Sequence, residues 1–474
     1  MKLSNNNNNN NNEGSKNASI IRVKPIGAGG GGVENSGIGL KNNEAALRYQ
    51  AGEGVSDGGG GRIDIVAGNV NGKSFNYMDH VIPPETDNEK LYNFFLPQRV
   101  DAFMNGYNVN LMAYGQTGTG KTHTMFGTPG IMGRAGRGDY GMSIHKDYGV
   151  FPRAALDIFA RYKQLKSSTT NEKYILTAHA IELSMIMGHQ DMLNKKTGDK
   201  NSAGLVKATQ YGVCIDKVAK PHRMYGMEEL ILESDQDLFR FFSGISDRCV
   251  QGTGLNQYSS RSHCFVVLTL YCYNPGTDLV WSSRFQFVDL AGSEKLEDAH
   301  GDKDYRATAA SFQGMIVNYS LTMLGQAIRA LVEARRKKKK FSFRAFLFDL
   351  ILLLSQSMTG EAYTSIFVCV SQAPANAATT LNALDFGKVF SKLKLRKKKV
   401  KPMPMKKLFN DAQKLYNEAK RVLKGNPPAK YRMIREGQLR DGAQKLHIFK
   451  QLKGEETDDG GEGGGKTMGI RKKK

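Results

Sequence analysis

The chain has 474 residues, and its hydrophobic fraction of 40% is enough to fill the core of one large domain with extensions, or of two to three small domains. Its net charge of +22, from 67 basic and 45 acidic residues, favours a polyanionic partner without choosing between nucleic acid, an anionic membrane and an acidic protein surface. The longest apolar run, residues 346–354, is too short to span a bilayer, and the 5 cysteines show no metal-ligand spacing. We therefore expect a protein of the reducing cytosol that has no membrane span.

Composition divides the chain into four parts. We expect these parts at residues 1–19, 20–395, 396–453 and 454–474. The first contains an asparagine tract at positions 5–12 and is predicted to be disordered. The second is a folded domain with glycine-rich insertions at about 27–61, which we expect to be flexible, and at about 127–148. The third is a basic neck with a helical extension, and the fourth is a flexible glycine-rich, acidic tail with a basic end.

A glycine-rich segment, GQTGTGKT at residues 115–122, fills every fixed position of the phosphate-binding pattern G-x-x-x-x-G-K-[ST]. Residues 110–114 before it predict a buried strand, and residues 123–126 after it predict the start of a helix. Glycines let backbone N–H groups converge on phosphate oxygens beside a helix N-terminus, so this arrangement predicts an anion site. Lys121 is predicted to reach the β- and γ-phosphates, and the Thr122 hydroxyl to bind Mg²⁺. The pattern alone leaves open a glycine turn without a ligand.

Two later segments have the composition of nucleotide sensors. Residues 256–263, NQYSSRSH, concentrate hydroxyls, an arginine and a histidine before an apolar, β-rich stretch. Residues 285–294, FQFVDLAGSE, predict a strand that ends in Asp-x-x-Gly. Asp289 stands where a carboxylate holds Mg²⁺ through water, and Gly292 stands where an N–H swings onto the γ-phosphate. The three segments in this order indicate a nucleoside-triphosphate site.

Predicted strands and helices alternate around these three segments. Residues 175–182 predict a central strand, and residues 235–246 predict an amphipathic helix that leads to NQYSSRSH. Strands that alternate with helices around a phosphate loop predict an α/β fold with a mostly parallel central sheet and helices on both faces.

GQTGTGKT, NQYSSRSH and DLAGSE together resemble the P-loop, switch I and switch II of the kinesin motor domain. Further kinesin-like segments follow in the family's order over roughly residues 20–395. They are IRVKP at 21–25, FNYMDHV at 75–81, GVFPR at 149–153, VNYSL at 317–321 and TLNALDF at 380–386. The resemblance implies a P-loop NTPase of the kinesin type, an ATPase that uses ATP with Mg²⁺ and binds microtubules. A regulatory GTPase is disfavoured because no guanine-reading N-K-x-D segment is found.

The resemblance also implies roles for individual residues of the ATP site. The residues expected to hold ATP are Arg22, Pro25, Gln116, Thr117, Gly118, Thr119, Gly120, Lys121, Thr122 and His123. The residues expected to bind Mg²⁺, directly or through water, are Thr122, Ser260 and Asp289. Arg22 and Pro25 would lie against the adenine. His123 would lie near the base, and a satisfied histidine at a helix start is an equally good reading.

Hydrolysis requires charge neutralisation at the γ-phosphate and a positioned water. The residues that the resemblance assigns to this task are Asn256, Ser259, Ser260, Arg261, Gly292 and Glu294. Ser259 and Ser260 would lie near the γ-phosphate when switch I closes, and Asn256 would contact the water. Arg261 would pair with Glu294 and latch the site shut. The alternative for this pair is a surface ion pair worth less than about 1 kcal/mol.

The expected microtubule contacts are less typical of the family. They are Arg335, Arg336, Lys337, Lys338, Lys339, Lys340 and Arg344. The first six form a cationic run where some kinesins carry a lysine-rich loop that attracts acidic tubulin tails, and a solvated charge run or a nuclear-localisation patch is the alternative. Residues 341–350 are expected to be helical, but apolar residues replace most of the family's polar contacts there and Tyr319 replaces a lysine. Microtubule affinity is therefore expected to depend on long-range charge and to be sensitive to salt.

The C-terminal extension is expected to carry the mechanical output. Residues 405–424 place apolar side chains at alternating spacings of four and three, which gives a coiled-coil-like seam of barely two heptads. This seam allows a dimer or a partner chain through the C-terminal helix. A helix packed on the motor itself is the alternative that we favour.

The resemblance implies a motor that couples ATP hydrolysis to movement along microtubules, in the cytoplasm and on the cytoskeleton. The altered segment after Lys340 and the large insertions favour an alternative, a non-motile kinesin-like ATPase that binds, crosslinks or regulates microtubules. A nucleic-acid-associated ATPase is suggested by charge alone, and no sequence motif supports it.

Overall fold

The computed structural model describes residues 18–25, 45–50, 61–66, 70–168, 171–183, 189–193, 213–216, 223–250, 262–294, 309–346, 348–393 and 397–455. The asparagine tract and the tail after residue 455 lie outside these ranges. Two expected boundaries need correction. Ala18 and Ser19 belong to the first strand and are buried, so the prediction of disorder up to residue 19 is wrong for them. Leu47–Gln50 form a strand inside the insertion that was expected to be flexible. Leu47 is buried and the next residue, Arg48, is exposed, which is the alternation of a strand with one face on a core.

The described residues form fifteen strands, which are numbered in chain order. They are β1 (Ala18–Val23), β2 (Leu47–Gln50), β3 (Gly61–Ile65), β4 (Lys73–Met78), β5 (His80–Ile82), β6 (Asn108–Gly115), β7 (Lys173–Leu183), β8 (Gln190–Asp191), β9 (Cys214–Asp216), β10 (Arg223–Tyr225), β11 (Leu230–Ile231), β12 (His263–Asn274), β13 (Leu279–Asp289), β14 (Ala362–Val370) and β15 (Met403–Pro404).

The same residues form eleven α-helices. They are α1 (Asn88–Phe95), α2 (Pro97–Met104), α3 (Lys121–Met125), α4 (Ile131–Gly136), α5 (Val150–Ser167), α6 (Asp235–Val250), α7 (Ala309–Arg336), α8 (Asp349–Thr359), α9 (Ala377–Ser391), α10 (Met405–Lys424) and α11 (Ala429–Lys453). Local chemistry explains several boundaries. The Asp87 carboxylate, for example, accepts a hydrogen bond from the backbone N–H of Lys90 and caps α1. Within the described part of the chain, no helix is both long enough and apolar enough to cross a membrane.

The central sheet has ten strands in the described part of the chain, with the main order β11-β7-β12-β13-β6-β14-β1-β5 and short β8 and β15 paired with β7 and β13. Strands β13, β6, β14, β1 and β5 run parallel to one another, whereas β12 and β7 pair antiparallel. Helices cover both faces, so the predicted α/β fold class is confirmed. Residues 175–182, predicted as a central strand, lie instead in β7, next to the edge strand β11.

Each face of the sheet has its own core, because successive side chains of a strand point to opposite faces. On one face, Val266, Leu268 and Leu270 of β12 pack with helices α1 to α6. This core includes Ile131 and Met132 of α4, so the second glycine-rich insertion contributes a packed helix. On the other face, a second core joins Phe265 of β12 to helices α7, α8 and α9.

Helices α10 and α11 form a C-terminal hairpin that extends this second layer. Tyr271 and Tyr273 of β12 lie an even number of residues from Phe265, so they point to the same face as α7 to α9. They pack with Met405 of α10 and with Ile448, Phe449 and Leu452 of α11 in a third core. Just before the hairpin, β15 pairs with the start of β13. The hairpin therefore packs on the same sheet as the rest of the fold.

The apolar seam of α10 faces this chain's own sheet and α11. Ala412 and Ala419 are buried, and Leu408 packs against the third core. The alternative that we favoured from the sequence, a helix packed on the motor, is what the structure shows. A dimer or a partner chain through this helix stays a prediction.

A buried ion pair fastens α11 to the edge of the sheet. The Glu229 carboxylate accepts hydrogen bonds from the Lys445 ammonium and, at 2.8 Å each, from the hydroxyls of Thr177 and Tyr271. Burial alone would raise the pKa of Glu229, but the Lys445 charge, together with the hydrogen bonds that the carboxylate accepts from Lys445 and Thr177, lowers that pKa below its usual range. The Glu229 N–H also donates to Gln444 of α11 at 2.9 Å. The ion pair and the hydrogen bond from the Glu229 backbone thus hold α11 against the edge of the sheet.

Removal of the Glu229 charge should destabilise the fold strongly. Glu229→Gln leaves the Lys445 ammonium, whose side chain is 23% exposed, without its counter-charge, and the loss of up to about 3–5 kcal/mol known for one partner of a buried pair is the upper bound for this change. Glu228→Gln is the matched control, because Glu228 pairs with Arg240, whose side chain is 58% exposed, and an exposed pair contributes at most about 1 kcal/mol. Urea denaturation measures both free energies of unfolding. Equal losses in the two variants would show that the buried pair does not fasten the hairpin.

Candidate nucleotide-binding site

The phosphate loop leaves the buried strand β6 and enters α3, which begins at Lys121, two residues before the predicted start. A Cβ at Gly115 would lie 2.2 Å from the carbonyl oxygen of Cys369 in β14, so no larger residue fits there. Gly118 and Gly120 have φ angles of 82° and 94°, a conformation that favours glycine whatever the available space. Glycine is therefore favoured at three points of the loop, at Gly118 and Gly120 for backbone conformation and at Gly115 for space as well as for its φ of 147°.

The carbonyl oxygen of Gln116 stabilises the conformation of the loop by accepting three hydrogen bonds from it. It accepts hydrogen bonds from the Thr119 N–H at 3.3 Å, the Thr119 hydroxyl at 2.8 Å and the Lys121 ammonium at 2.8 Å. The Gln116 side-chain amide donates to Asn376 at 3.0 Å, which links the loop to the segment before α9. Lys121 is 7% exposed and is held inside the loop. Its ammonium is thus positioned among the backbone groups that define the anion site.

Thr122 and Asp289 meet at the predicted metal position. The Thr122 hydroxyl donates to a carboxylate oxygen of Asp289 at 2.7 Å, and Asp289 is 1% exposed at the end of β13. A hydroxyl and a carboxylate are hard oxygen donors, and a protein usually supplies Mg²⁺ with only one or two such groups beside phosphate oxygens and water. No group of three or more His, Cys, Asp or Glu side chains suited to a metal occurs in the described ranges. The pair fits Mg²⁺ that is shared with a nucleotide.

Switch II lies directly on the phosphate loop. The Glu294 carboxylate accepts hydrogen bonds from the Thr117 N–H at 2.7 Å and from the Thr117 hydroxyl at 2.5 Å. A Cβ at Gly292 would lie 2.2 Å from the Thr117 hydroxyl oxygen and 2.5 Å from the Glu294 carboxylate oxygens. Glycine at position 292 is therefore what lets switch II approach the loop this closely.

Three polar side chains link this site to helix α7. The Asn318 amide donates to the Glu294 carbonyl oxygen at 2.5 Å. His263, buried at the start of β12, accepts from the Ala291 N–H at 3.1 Å and lies 3.3 Å from the Ser320 hydroxyl through its other ring nitrogen. The sequence motifs contain Asn318 and His263, but sequence reasoning assigned them no role. The sequence feature that could have indicated these roles is a polar residue next to apolar neighbours inside a recognised motif.

The predicted adenine side is organised around Arg22. Its guanidinium donates to Asn88 at 2.6 Å and to the Thr124 hydroxyl of α3 at 2.7 Å. Pro25 and His123 are exposed, so their surfaces are accessible to a base. Partial loss of hydration around the ring, and then the positive charge of Arg22, lower the pKa of His123 below its usual range.

The switch I residues cannot be compared with this geometry. Asn256, Ser259, Ser260 and Arg261 lie outside the described residues. Their predicted roles, and the predicted latch between Arg261 and Glu294, stay predictions.

The predicted cationic loop is exposed from Arg335 to Lys340, but its first two residues, Arg335 and Arg336, lie in the last turn of α7, so the loop itself begins at Lys337. Arg336 and Lys337 both pair with Glu333 at 2.7 and 2.9 Å, and Arg335 donates to the Thr359 carbonyl at 3.2 Å. The predicted helix over residues 341–350 is wrong in its position. A short 3₁₀ turn occupies Phe343–Ala345, and α8 begins only at Asp349. The side chain of Arg344 lies outside the described part of the structure.

Comparison with known proteins agrees with this arrangement. A family model described as the kinesin motor domain matches residues 61–393. The Kinesin-like protein KIN-5A of Arabidopsis thaliana is 29% identical over 365 residues, which cover 74% of this chain and 32% of that protein. The Kinesin heavy chain of Drosophila melanogaster is 30% identical over 312 residues, which cover 66% of this chain and 28% of that protein.

Two solved structures share the fold. One, described as the structure of a fast kinesin, has a TM-score of 0.60 at 23% identity and covers 81% of this chain and 94% of its own. The other is described as a KIF14 dimer in a two-heads-bound state with AMP-PNP in complex with a microtubule. Its TM-score is 0.61 at 22% identity, and the match covers 81% of this chain and 96% of that one.

The fold and the phosphate loop define a P-loop nucleotide-binding domain of the α/β class. Since the family model spans most of the chain, the chain belongs to the kinesin motor family, whose motor domains are ATPases associated with microtubules. It spans about a third of the length of the curated relatives described above, at 32% and 28%.

The close approach at Gly292 gives a test of the site. Gly292→Ala places a methyl group against Thr117 and Glu294, so we expect switch II to shift and ATP turnover to fall roughly 100-fold, as for a displacement of about 1 Å near a reacting centre. Gly133→Ala in α4 is the matched control, because its Cβ would meet its nearest neighbour only at 3.7 Å. Steady-state phosphate release measures both. Full activity in Gly292→Ala would refute the assigned contact.

Proposed function

We propose that the chain hydrolyses ATP with Mg²⁺ at this site and couples hydrolysis to conformational change and movement along microtubules. The observation that carries the proposal is the contact of Glu294 with Thr117, because it joins switch II to the phosphate loop. In a nucleotide-driven switch, a segment that senses the γ-phosphate changes its position when that phosphate is lost. Glu294 contacts the phosphate loop directly, so we expect the movement of switch II to begin at this residue.

The residues of the site have separate tasks in the proposed reaction. Lys121 balances charge on the β- and γ-phosphates, and Thr122 with Asp289 holds the metal. Mg²⁺, when bound, neutralises charge that develops on the phosphate oxygens. Glu294 and the switch I residues Asn256, Ser259, Ser260 and Arg261 position the attacking water. Catalysis of this kind rests on positioning and charge rather than on a covalent intermediate.

A path of contacts supports coupling to the track. Asn318 of α7 donates to the Glu294 carbonyl, so displacement of switch II pulls on this helix. Helix α7 has 28 residues and a length of about 42 Å at 1.5 Å per residue. The exposed cationic run, residues 335–340, begins in the last turn of this helix and continues beyond it. One rigid element thus connects the phosphate site to the proposed microtubule contact.

The second candidate is a non-motile ATPase that binds, crosslinks or regulates microtubules. Leu350, Ile351 and Leu354 of α8 are fully buried in the second core. Helix α8 therefore packs inward, and Tyr319 on the neighbouring α7 is 56% exposed where the family has a lysine. Helix α8 and Tyr319 thus offer a partner few charged groups, which favours microtubule binding through the charge of the cationic loop. Binding of that kind is what the second candidate requires.

We further propose the organisation that the sequence predicted: a motor domain over residues 20–395, a basic neck and helical extension over 396–453, and a tail over 454–474. The proposed location is the cytoplasm, on the microtubule cytoskeleton. The proposed cofactors are ATP and Mg²⁺, with ATP contacts from Arg22, Pro25 and residues 116–123.

ATP turnover with and without polymerised microtubules is the first test of function. We expect microtubules to stimulate phosphate release from the purified chain. Lys121→Ala should abolish ATP binding and turnover, whereas Glu294→Ala should keep nucleotide binding and lose turnover at least about 100-fold, because it removes a group that positions the reacting water. Turnover without stimulation would favour the non-motile candidate. Unchanged turnover in either variant would reject the assigned roles.

The cationic loop gives a separate prediction. The variant Lys338→Gln, Lys339→Gln, Lys340→Gln removes three exposed charges that belong to none of the ion pairs of Glu333. We expect microtubule affinity to fall several-fold near 0.05 M salt and the difference to vanish near 1 M, where the screening length is about 3 Å. Co-sedimentation over a salt series measures both effects. A loss of affinity that does not depend on salt would contradict a contact made by long-range charge.

A further inference from the structure

The C-terminal hairpin has one strongly basic outer surface. The exposed cations of α10 are Lys406, Lys407, Lys414, Lys420, Arg421 and Lys424. Positions 407, 414 and 421 are separated by seven residues, so they lie on one side of the helix. We call these six residues the basic stripe. A 20-residue helix is about 30 Å long, so the stripe presents charge over an extended surface.

The charge of the stripe is not neutralised by its neighbours. Within the described residues, none of the six cations forms an ion pair, whereas Glu418 of the same helix pairs with Arg435 of α11 at 3.4 Å. Asp411 is the one fully exposed carboxylate that α10 carries in the described structure. Residues 397–455 contain 17 basic and 5 acidic residues, which contribute +12 to the chain's +22. Positive charge is thus concentrated in the extension rather than spread over the motor.

The packing of the hairpin determines which side of α10 is exposed. Met405, Ala412 and Ala419 bury the inner side of α10, and the Glu229–Lys445 pair fastens α11. The hairpin covers the same face of the sheet as α7 and α8, as the alternation along β12 shows. The basic stripe and the cationic loop therefore both belong to the helical layer on this face.

We infer that the basic stripe is a second electrostatic contact for an acidic protein surface, and that this surface is the microtubule of the proposed function, on which the inference rests. The stripe adds a contact that the cationic loop does not provide, from a part of the chain outside the family-model match at 61–393. Its position in the same helical layer as the loop allows both to face one large partner.

The side chains of α10 favour a protein partner over a membrane or a single-stranded nucleic acid. Membrane-surface helices bury an exposed apolar face, but the large exposed apolar residues of the described structure, which are Ile144, Met315, Tyr319 and Tyr431, lie outside α10. Single-stranded nucleic acids stack on exposed aromatic rings. Phe409 of α10 packs against the third core instead, and Tyr416 is only partly exposed.

The full chain with Lys407→Gln, Lys414→Gln and Arg421→Gln tests the inference. All three positions are exposed, so the variant is expected to fold and to keep basal ATP turnover. The matched control replaces Lys90, Lys146 and Lys166 by glutamine, which removes three exposed charges from the side of the sheet covered by α1 and α5. Co-sedimentation with microtubules at about 0.05 M salt should show roughly tenfold weaker binding for the stripe variant than for the control, as expected for three exposed contacts.

The outcomes separate this inference from the proposed function. Wild-type chain that neither binds microtubules nor is stimulated by them would overturn both. Wild-type binding together with equal affinities for the stripe variant and the control would overturn the inference and leave the function intact. A duplex DNA of 30 base pairs serves as the competing probe. Loss of DNA binding in the stripe variant with unchanged microtubule binding would reject the acidic-protein assignment in favour of nucleic acid.

Discussion

The parallel pairing of β13 with β6 is the constraint on which the site depends. The two strands run side by side, and the last residue of β13, Asp289, is in register with Ala113, two residues before the end of β6. This places the Asp289 carboxylate beside Thr122, and the next residues of the chain, switch II, beside the phosphate loop. The Ser293 N–H donates to the Gly115 carbonyl at 3.1 Å, so backbone contact continues past the strand ends. A shift of one residue would turn Asp289 to the other side of the sheet and separate the pair.

Switch II connects the phosphate loop to helix α7. Glu294 touches Thr117 with its carboxylate and Asn318 with its carbonyl, so one residue contacts both the phosphate loop and α7. His263 adds a second link, because its two ring nitrogens contact switch II and the Ser320 hydroxyl. Packed cores tolerate few intermediate positions, and a small change at the loop is therefore expected to move α7 as a unit.

The C-terminal hairpin changes what the motor presents to a partner. Its apolar side completes the helical layer over β12, and its buried ion pair makes the attachment specific in position. The outer side then carries an excess of cations on a rigid support. Attraction between exposed charges is weak for each pair and screened by salt. Many such charges on one fixed surface nevertheless favour a large acidic partner, which agrees with the net charge of the whole chain.

The α/β class, the glycine loop between a strand and a helix, and a strand that ends at Asp289 could all be predicted from the sequence, because each depends on a local pattern: alternating strands and helices, fixed glycine spacing, and Asp-x-x-Gly after an apolar run. It also indicated that α10 packs on the motor. The contact of Glu294 with Thr117, the links of His263 and Asn318 to α7, and the pairing of Glu229 with Lys445, 216 residues away, became visible in the folded chain alone. These contacts join segments distant in sequence, and local patterns carry no information about which distant segments a fold brings together.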